Sequence, residues 1–238
     1  MTEKLLNDIE YNYRTIEERI SEAAIKAGKK RGDITFLAAT KTVAPEAINY
    51  AISLGLRYIG ENKVQELLSK YDSYNLDDAS LQFIGHLQSN KVRQIVGKVD
   101  LIQSVDSVKL AQEVSRQSEK RDITTDILIE VNIGGEESKS GVEPEALYEL
   151  LDEIKDFGNI KVRGLMCIPP ICDSSQKILD FFTKMNNIFI DISGKKIDNI
   201  SMDILSMGMS ADYYEAILSG ANMVRVGSSL FGARNYNI

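Results

Sequence analysis

The chain has 238 residues, 43% of them hydrophobic and 26% charged, with a formal net charge of −7. An acidic balance of this size disfavours DNA or an acidic membrane surface as partner. Two cysteines, Cys167 and Cys172, make no disulfide framework, and one histidine, His86, leaves too few ligands for a histidine-based metal site. No apolar run is long enough to span a bilayer or act as a signal, so a soluble cytoplasmic protein is expected.

Leu5, Ile9, Ile16, Ile20, Ala24 and Ala27 recur at helical spacing with charges between them, which predicts one long amphipathic helix ending near Gly28. Residues 34–43 read as a short, mostly apolar strand buried on both faces, with one lysine, Lys41, at its C-terminal end. Pro45 suits the first turn of the next helix, 46–54, which Gly55 closes. Further strands are expected at 57–60, 81–86, 101–105, 126–133, 161–168, 200–206 and 222–226. Helices are expected at 62–71, 89–96, 144–156, 176–192 and 211–218, and one capped by Asp106 or Ser107 runs to about Lys120. Eight strands, each followed by a helix or helical turn, predict a single (β/α)8 TIM barrel domain over 1–238 with an extra N-terminal helix. A doubly wound open sheet is the alternative. No Gly-x-Gly-x-x-Gly follows the first strand, which disfavours its dinucleotide-binding version.

Barrel chemistry collects at the C-terminal ends of the strands. Those positions carry Lys41, Asn62, His86, Ser104, Asn132, Met166, Ser206 and Arg225. Glu61 and Glu130 also lie near strand ends but far apart, so hydrolysis by a carboxylate pair is unsupported. A half-buried lysine has a lowered pKa and can attack a carbonyl; the plain alternative is a lysine reaching past the strand end to solvent. The segment 206–212 joins strand 7 to a helix with Ser210 as its expected N-cap, and 225–229 does the same after strand 8. Loops after strands 7 and 8 are where many barrels bind phosphate. Ser210 and Ser228 add hydroxyl donors there, unless both merely cap helices. An amine beside a phosphate site suits a phosphorylated carbonyl compound, either an aldol-type sugar phosphate or pyridoxal 5′-phosphate. Arg225 bears on that choice, because a guanidinium can face a pyridine nitrogen; its plain alternative is a salt bridge buried in the barrel.

Several motifs then match a family in order. They are Ala39-Thr40-Lys41, Gly60-Glu61-Asn62-Lys63-Val64-Gln65-Glu66, Phe83-Ile84-Gly85-His86-Leu87-Gln88-Ser89-Asn90-Lys91, Ser138-Lys139-Ser140-Gly141, Gly164-Leu165-Met166, Ser206-Met207-Gly208-Met209-Ser210-Ala211-Asp212 and Val224-Arg225-Val226-Gly227-Ser228. Together they resemble the pyridoxal phosphate homeostasis proteins, also called the YggS or PROSC family, from the first strand to the last loop. The resemblance implies a barrel of the alanine-racemase N-terminal type that holds pyridoxal phosphate as a Schiff base, with no established turnover. It implies Lys41 as the Schiff-base lysine and Ser210, Gly227 and Ser228 as the phosphate holders. It also puts Arg225 at the pyridine nitrogen and Asn62 beside the cofactor. Lys63 departs from the pattern, standing where an aromatic residue is expected, which bears on local packing and not on Asn62.

Met166 and Met207 are expected to pack at the barrel mouth against the ring, with Met207 counted among the cofactor-binding residues. His86 either lines the cofactor pocket or bonds neighbouring loops, a structural role being the favoured reading, and both cysteines are expected to be inert. Racemases and decarboxylases on this barrel continue into a β-rich domain that supplies a catalytic tyrosine. This chain ends at Ile238, shortly after strand 8, so a monomer that binds and delivers the cofactor is expected, with apo-enzymes that use it as candidate partners. An arginine opposite the pyridine nitrogen disfavours its protonation and weakens the ring as an electron sink. Two alternatives stand beside the carrier: a small single-domain amino-acid racemase running on Lys41, and a Schiff-base aldolase acting on a sugar phosphate.

Overall fold

Strands that are apolar on both faces need cover on both, and a closed barrel inside a ring of helices supplies it. The computed structural model describes residues 1–136, 139–172 and 174–232. Among them, β1 (Thr35–Ala39), β2 (Tyr58–Glu61), β3 (Ser80–Phe83), β4 (Leu101–Val105), β5 (Thr125–Val131), β6 (Ile160–Cys167), β7 (Ile200–Ser206) and β8 (Met223–Val226) pair in sequence order, all parallel. β8 closes the ring onto β1, with Phe36 opposite Val224 and Leu37 opposite Arg225. The helices are α1 (Glu3–Lys26), α2 (Pro45–Ser53), α3 (Val64–Lys70), α4 (Val92–Ile95), α5 (Val108–Glu119), α6 (Leu147–Ile154), α7 (Ser175–Lys195), α8 (Tyr213–Leu218) and α9 (Ser228–Phe231). This is the (β/α)8 barrel with an extra N-terminal helix that the pattern predicts.

Alternation along the strands sorts the apolar side chains into two cores. Leu37, Ile84, Leu101, Leu128, Met166 and Met223 fill the barrel interior. Phe36, Ala38, Ile59, Phe83, Ile102 and Leu205 point the other way and meet the helices. Each fully buried leucine or isoleucine contributes about 1.5–3 kcal/mol. α1 precedes the first strand and packs on α2, α8 and α9 through Ile9, Ile16, Ile20, Ala23 and Ala24. Its Asn12 side chain donates to the Leu230 carbonyl at 3.1 Å, which ties the start of the chain to α9. No helix among the described residues is long and apolar enough to cross a membrane.

The strands at 101–105 and 200–206 match their predicted bounds. Others are shorter than the apolar runs. β1 stops at Ala39 because Thr42 takes φ +64°, which no strand accommodates, and Lys41 therefore sits in a turn closed by Val43 N–H to the Thr40 carbonyl at 3.0 Å. β3 stops at Phe83, leaving His86 in a loop. Ser107, not Asp106, caps α5, accepting from Leu110 N–H at 3.4 Å. α8 begins at Tyr213, two residues late, because Asp212 folds back to accept from Met209 N–H at 2.6 Å.

One glycine shows how tightly the mouth is drawn together. A Cβ on Gly85 would lie 2.0 Å from the Asn62 carbonyl oxygen, so the β2 and β3 loops approach as closely as backbones can. Gly85→Ala should lower stability by about 1–3 kcal/mol, the usual cost of forcing volume into a packed site. Urea denaturation checks this; an unchanged midpoint would mean the two loops are not in contact.

Candidate functional site

Closure of the barrel makes the ends of β7, β8, β1 and β2 consecutive neighbours. Arg225, Lys41 and Asn62 thus meet at one mouth although far apart in sequence. Arg225 is 4% exposed. Its Nη1 donates to Ser206 Oγ at 2.6 Å and its Nη2 to the Cys167 carbonyl at 2.8 Å. Ser206 donates onward to Gln103 Oε1 at 2.7 Å, and Gln103 Nε2 to Gln82 Oε1 at 2.6 Å, so a polar chain crosses the interior from β8 to β3. No salt bridge reaches Arg225 among the described residues. Burial lowers its pKa from the ordinary arginine value, partly opposed by Cys167, Glu130 and Asp212. Burial also pushes the Cys167 thiol up to about 12, which makes it a poor nucleophile, as expected.

Ser210 is not a helix cap. Asp212 occupies that position, and the Ser210 side chain reaches instead to the loop after β8. Its Oγ accepts from Gly227 N–H at 3.1 Å and from Ser229 N–H at 3.3 Å. Two backbone donors converging on one oxygen form a small nest, filled here by the Ser210 hydroxyl, which keeps its own proton to donate. A Cβ on Gly227 would lie 3.1 Å from the Ala39 carbonyl oxygen, so glycine lets the β8 loop approach the end of β1. Ser228 opens α9, exposed, and its hydroxyl makes no hydrogen bond among the described residues. The amide of Ser229, which sequence reasoning passed over, is the second donor. The repeated Ser228-Ser229 was its only signal.

Lys41 is half-buried in its turn, between Thr40, fully buried, and Thr42. A β-branched residue held at positive φ costs roughly 1–3 kcal/mol, so the surroundings must impose the turn. Asn62 lies one residue past β2 with its Oδ1 buried and without a hydrogen-bond partner among the described residues; Ser104 Oγ, on β4, is in the same state. Buried polar atoms are normally paired, so both oxygens, like Glu61 Oε2, are left with hydrogen-bonding capacity unspent.

Met166 lies inside the barrel, as expected. Met207 does not line the mouth: strand alternation turns Ser206 inward and Met207 outward, where it is fully buried in the helix-facing core. Its side chain is withdrawn from the site. His86 is exposed, with Nδ1 3.1 Å from Ser140 Oγ and 4.0 Å from Asp106 Oδ2, linking three loops as expected. Lys139 donates to the Pro169 carbonyl at 3.2 Å; Ser138, in the same motif, lies outside the described residues. Lys63 is exposed at the start of α3, so the departure there leaves the core untouched.

Glu130, at the inner end of β5, is 7% exposed. Burial, then the Asp106 carboxylate, push it from 4.5 to about 7, with Arg225 opposing. The folded chain therefore holds this proton more tightly than the unfolded chain does. Its contribution to stability is full below pH 4.5 and is lost as pH rises towards 7. The loss amounts to about 3 kcal/mol. Glu130→Gln should flatten that slope and be more stable than the parent above pH 7, as read by urea midpoints across the range. Parallel profiles would show that Glu130 ionises normally.

The sequence matches the family "Alanine racemase, N-terminal domain" over residues 6–235. It is 44% identical over 219 residues to the pyridoxal phosphate homeostasis protein of Aquifex aeolicus, covering 92% of this chain and 95% of that one. Among solved structures it superposes on an unknown protein from Bifidobacterium adolescentis with a TM-score of 0.92, at 33% identity over 97% of both chains. It also superposes on PipY of Synechococcus elongatus, solved with PLP bound, with a TM-score of 0.79 at 29% identity, covering 91% of this chain and all of that one. With the barrel, the mouth and these likenesses together, the chain belongs to the pyridoxal phosphate homeostasis proteins, built on the alanine racemase N-terminal domain.

Proposed function

We propose that this chain binds pyridoxal 5′-phosphate at the barrel mouth, holds it as a Schiff base on Lys41, and serves intracellular homeostasis of that cofactor without sustained turnover. The observation that carries the reading is the convergence of Gly227 and Ser229 N–H on Ser210 Oγ, across the β8–β1 seam from the Lys41 turn. One side of the mouth thus suits an anion and the other offers an amine. The donor set fits the ligand. Ser210, Gly227 and Ser228 would hold the phosphate, Asn62 and Ser104 would meet polar atoms of the ring with their unpartnered oxygens, and Arg225 would face the ring nitrogen. The aldehyde supplies the electrophile. A cation fixed at the ring nitrogen opposes protonation there, which favours retention over carbanion chemistry. Apo-enzymes that use the cofactor are the partners this role implies, and the cytoplasm the compartment.

The racemase alternative has one observation on its side, a carboxyl in the mouth poised near neutrality, since a base near pH 7 suits proton transfer. One experiment separates the readings. Borohydride reduction of the loaded chain should place a pyridoxyl group on Lys41, and the same loaded chain in deuterated water should give amino acids no sustained α-hydrogen exchange. Labelling of Lys63 or Lys139 instead would move the site; exchange over many turnovers, lost in Lys41→Ala, would make the protein an enzyme.

The phosphate assignment is tested by Ser210→Ala. A hydrogen bond to a charged group contributes about 1.5–3 kcal/mol, so pyridoxal phosphate should bind roughly tenfold or more weakly while unphosphorylated pyridoxal is scarcely affected. Equal losses for both ligands would remove Ser210 from the phosphate site.

A further inference from the structure

Lys41 lies between two peptide groups, and one ion pair grips both. The carbonyl of the preceding peptide, Thr40 O, accepts from Lys70 Nζ at 3.1 Å. The N–H of the following peptide, on Thr42, donates to Glu66 Oε1 at 2.5 Å. Lys70 and Glu66 are themselves paired at 2.5 Å, one helical turn apart on α3, and their side chains are only 12% and 18% exposed. Behind them stands Glu61, with no exposure at its side chain, whose Oε1 accepts from Lys70 Nζ at 3.1 Å, Tyr74 hydroxyl at 2.7 Å and Thr40 Oγ1 at 2.8 Å. α3 packs on the end of β2, so the grip comes from the strand next to the one that precedes Lys41.

We propose that the Glu66–Lys70 pair is the positioning device for Lys41: it fixes the turn that aims the amine at the mouth, and it acts on covalent capture of an aldehyde rather than on the affinity of the pocket. The inference rests on the reading of Lys41 as the capturing amine. Three features support it. Thr42 is held in a left-handed conformation that threonine disfavours, so an external force must set the turn, and the two contacts fall on the two peptides that define it. The pair is half-sheltered, which strengthens hydrogen bonds to charged partners relative to those in water. Neither member extends the Ser210 nest, which is built from other loops. In the capture step the Lys41 nitrogen lone pair adds to the aldehyde carbon, the aldehyde oxygen leaves as water with the two amine protons, and a C=N bond remains. That addition needs the nitrogen on the correct approach line, which is what rotation of either flanking peptide would spoil.

The test uses the full chain with Lys70→Met and Glu66→Met separately, and Lys70→Arg and Glu66→Gln as conservative controls. Three quantities are measured: the thermal midpoint, the dissociation constant for pyridoxine 5′-phosphate, which lacks the aldehyde, and the rate of pyridoxal phosphate capture on Lys41, trapped by borohydride and mapped by mass spectrometry. Capture should slow about ten- to a hundredfold in Lys70→Met and Glu66→Met, the usual effect of a misplaced reacting group. Affinity for the aldehyde-free analogue should stay within roughly threefold, a small fraction of the binding free energy. Lys70→Arg and Glu66→Gln should recover most of the rate, since the first still presents N–H donors to the Thr40 carbonyl and the second an acceptor to Thr42 N–H. Should Lys70→Met fail to fold, the nearly isosteric Glu66→Met decides alone. Capture at the parent rate in Glu66→Met overturns the inference, and so does a loss of analogue affinity in step with capture, which would make the pair a plain support of the fold. A parent chain that binds the analogue yet captures nothing on Lys41 overturns the reading of the site, and this inference with it.

Discussion

A cation is buried inside the barrel, and the way it is compensated governs the mouth above it. Removing a guanidinium from water without a carboxylate partner is costly unless its N–H groups find good acceptors. Ser206 and the Cys167 carbonyl supply two, and the demand is passed on through Gln103 to Gln82. Five strands, β3, β4, β6, β7 and β8, are thereby linked across the interior by side-chain hydrogen bonds as well as around the rim by their ladders. Shifting any one of them would strand a buried polar group. The upper barrel is accordingly a fixed platform, and the Arg225 guanidinium is held in one place within it.

On that platform the two halves of the site differ in construction. The Ser210 side is made of backbone: two N–H groups converge on a serine oxygen, and Gly227 allows the loop to close against Ala39. The Lys41 side is made of a strained turn held by side chains from α3. Backbone donors are neutral and do not titrate, whereas ion pairs are screened by salt and Glu130 is poised to respond to pH.

Much of this was legible in residue order. Lys41, Asn62 and Arg225 stand out in the sequence as strand-end residues, and a barrel brings those ends together whatever their separation. Gly227 and Ser210 stand out by the loops they occupy. Met207 was misassigned by a single position: strands alternate, so the residue after the inward Ser206 must face the helices. Ser210 was placed in the correct loop with the wrong partner, because a serine before a helix looks the same whether it caps that helix or bonds a neighbouring loop. Gln103 and the Glu66–Lys70 pair gave no local signal, since each acts on residues distant in the chain.

The sequence by itself determined the architecture. Short apolar runs and helical patterns, eight times alternated, allow few arrangements that bury both faces of every strand, and a closed barrel is the one that fits this length. It also determined the inventory of chemical groups at the mouth and, through its motifs, the family. What only the tertiary structure decided is which of those groups meet. Strand breaks finer than the apolar runs put Lys41 in a turn and His86 in a loop; closure set Gly227 against Ala39; and packing of α3 on β2 brought Glu66 and Lys70 to the two peptides around Lys41. The physical reason is one of range. Local pattern follows from free energies that each residue feels with its near neighbours, whereas hydrogen-bond partners across the barrel are chosen by the geometry of closure, which no short stretch of the chain contains.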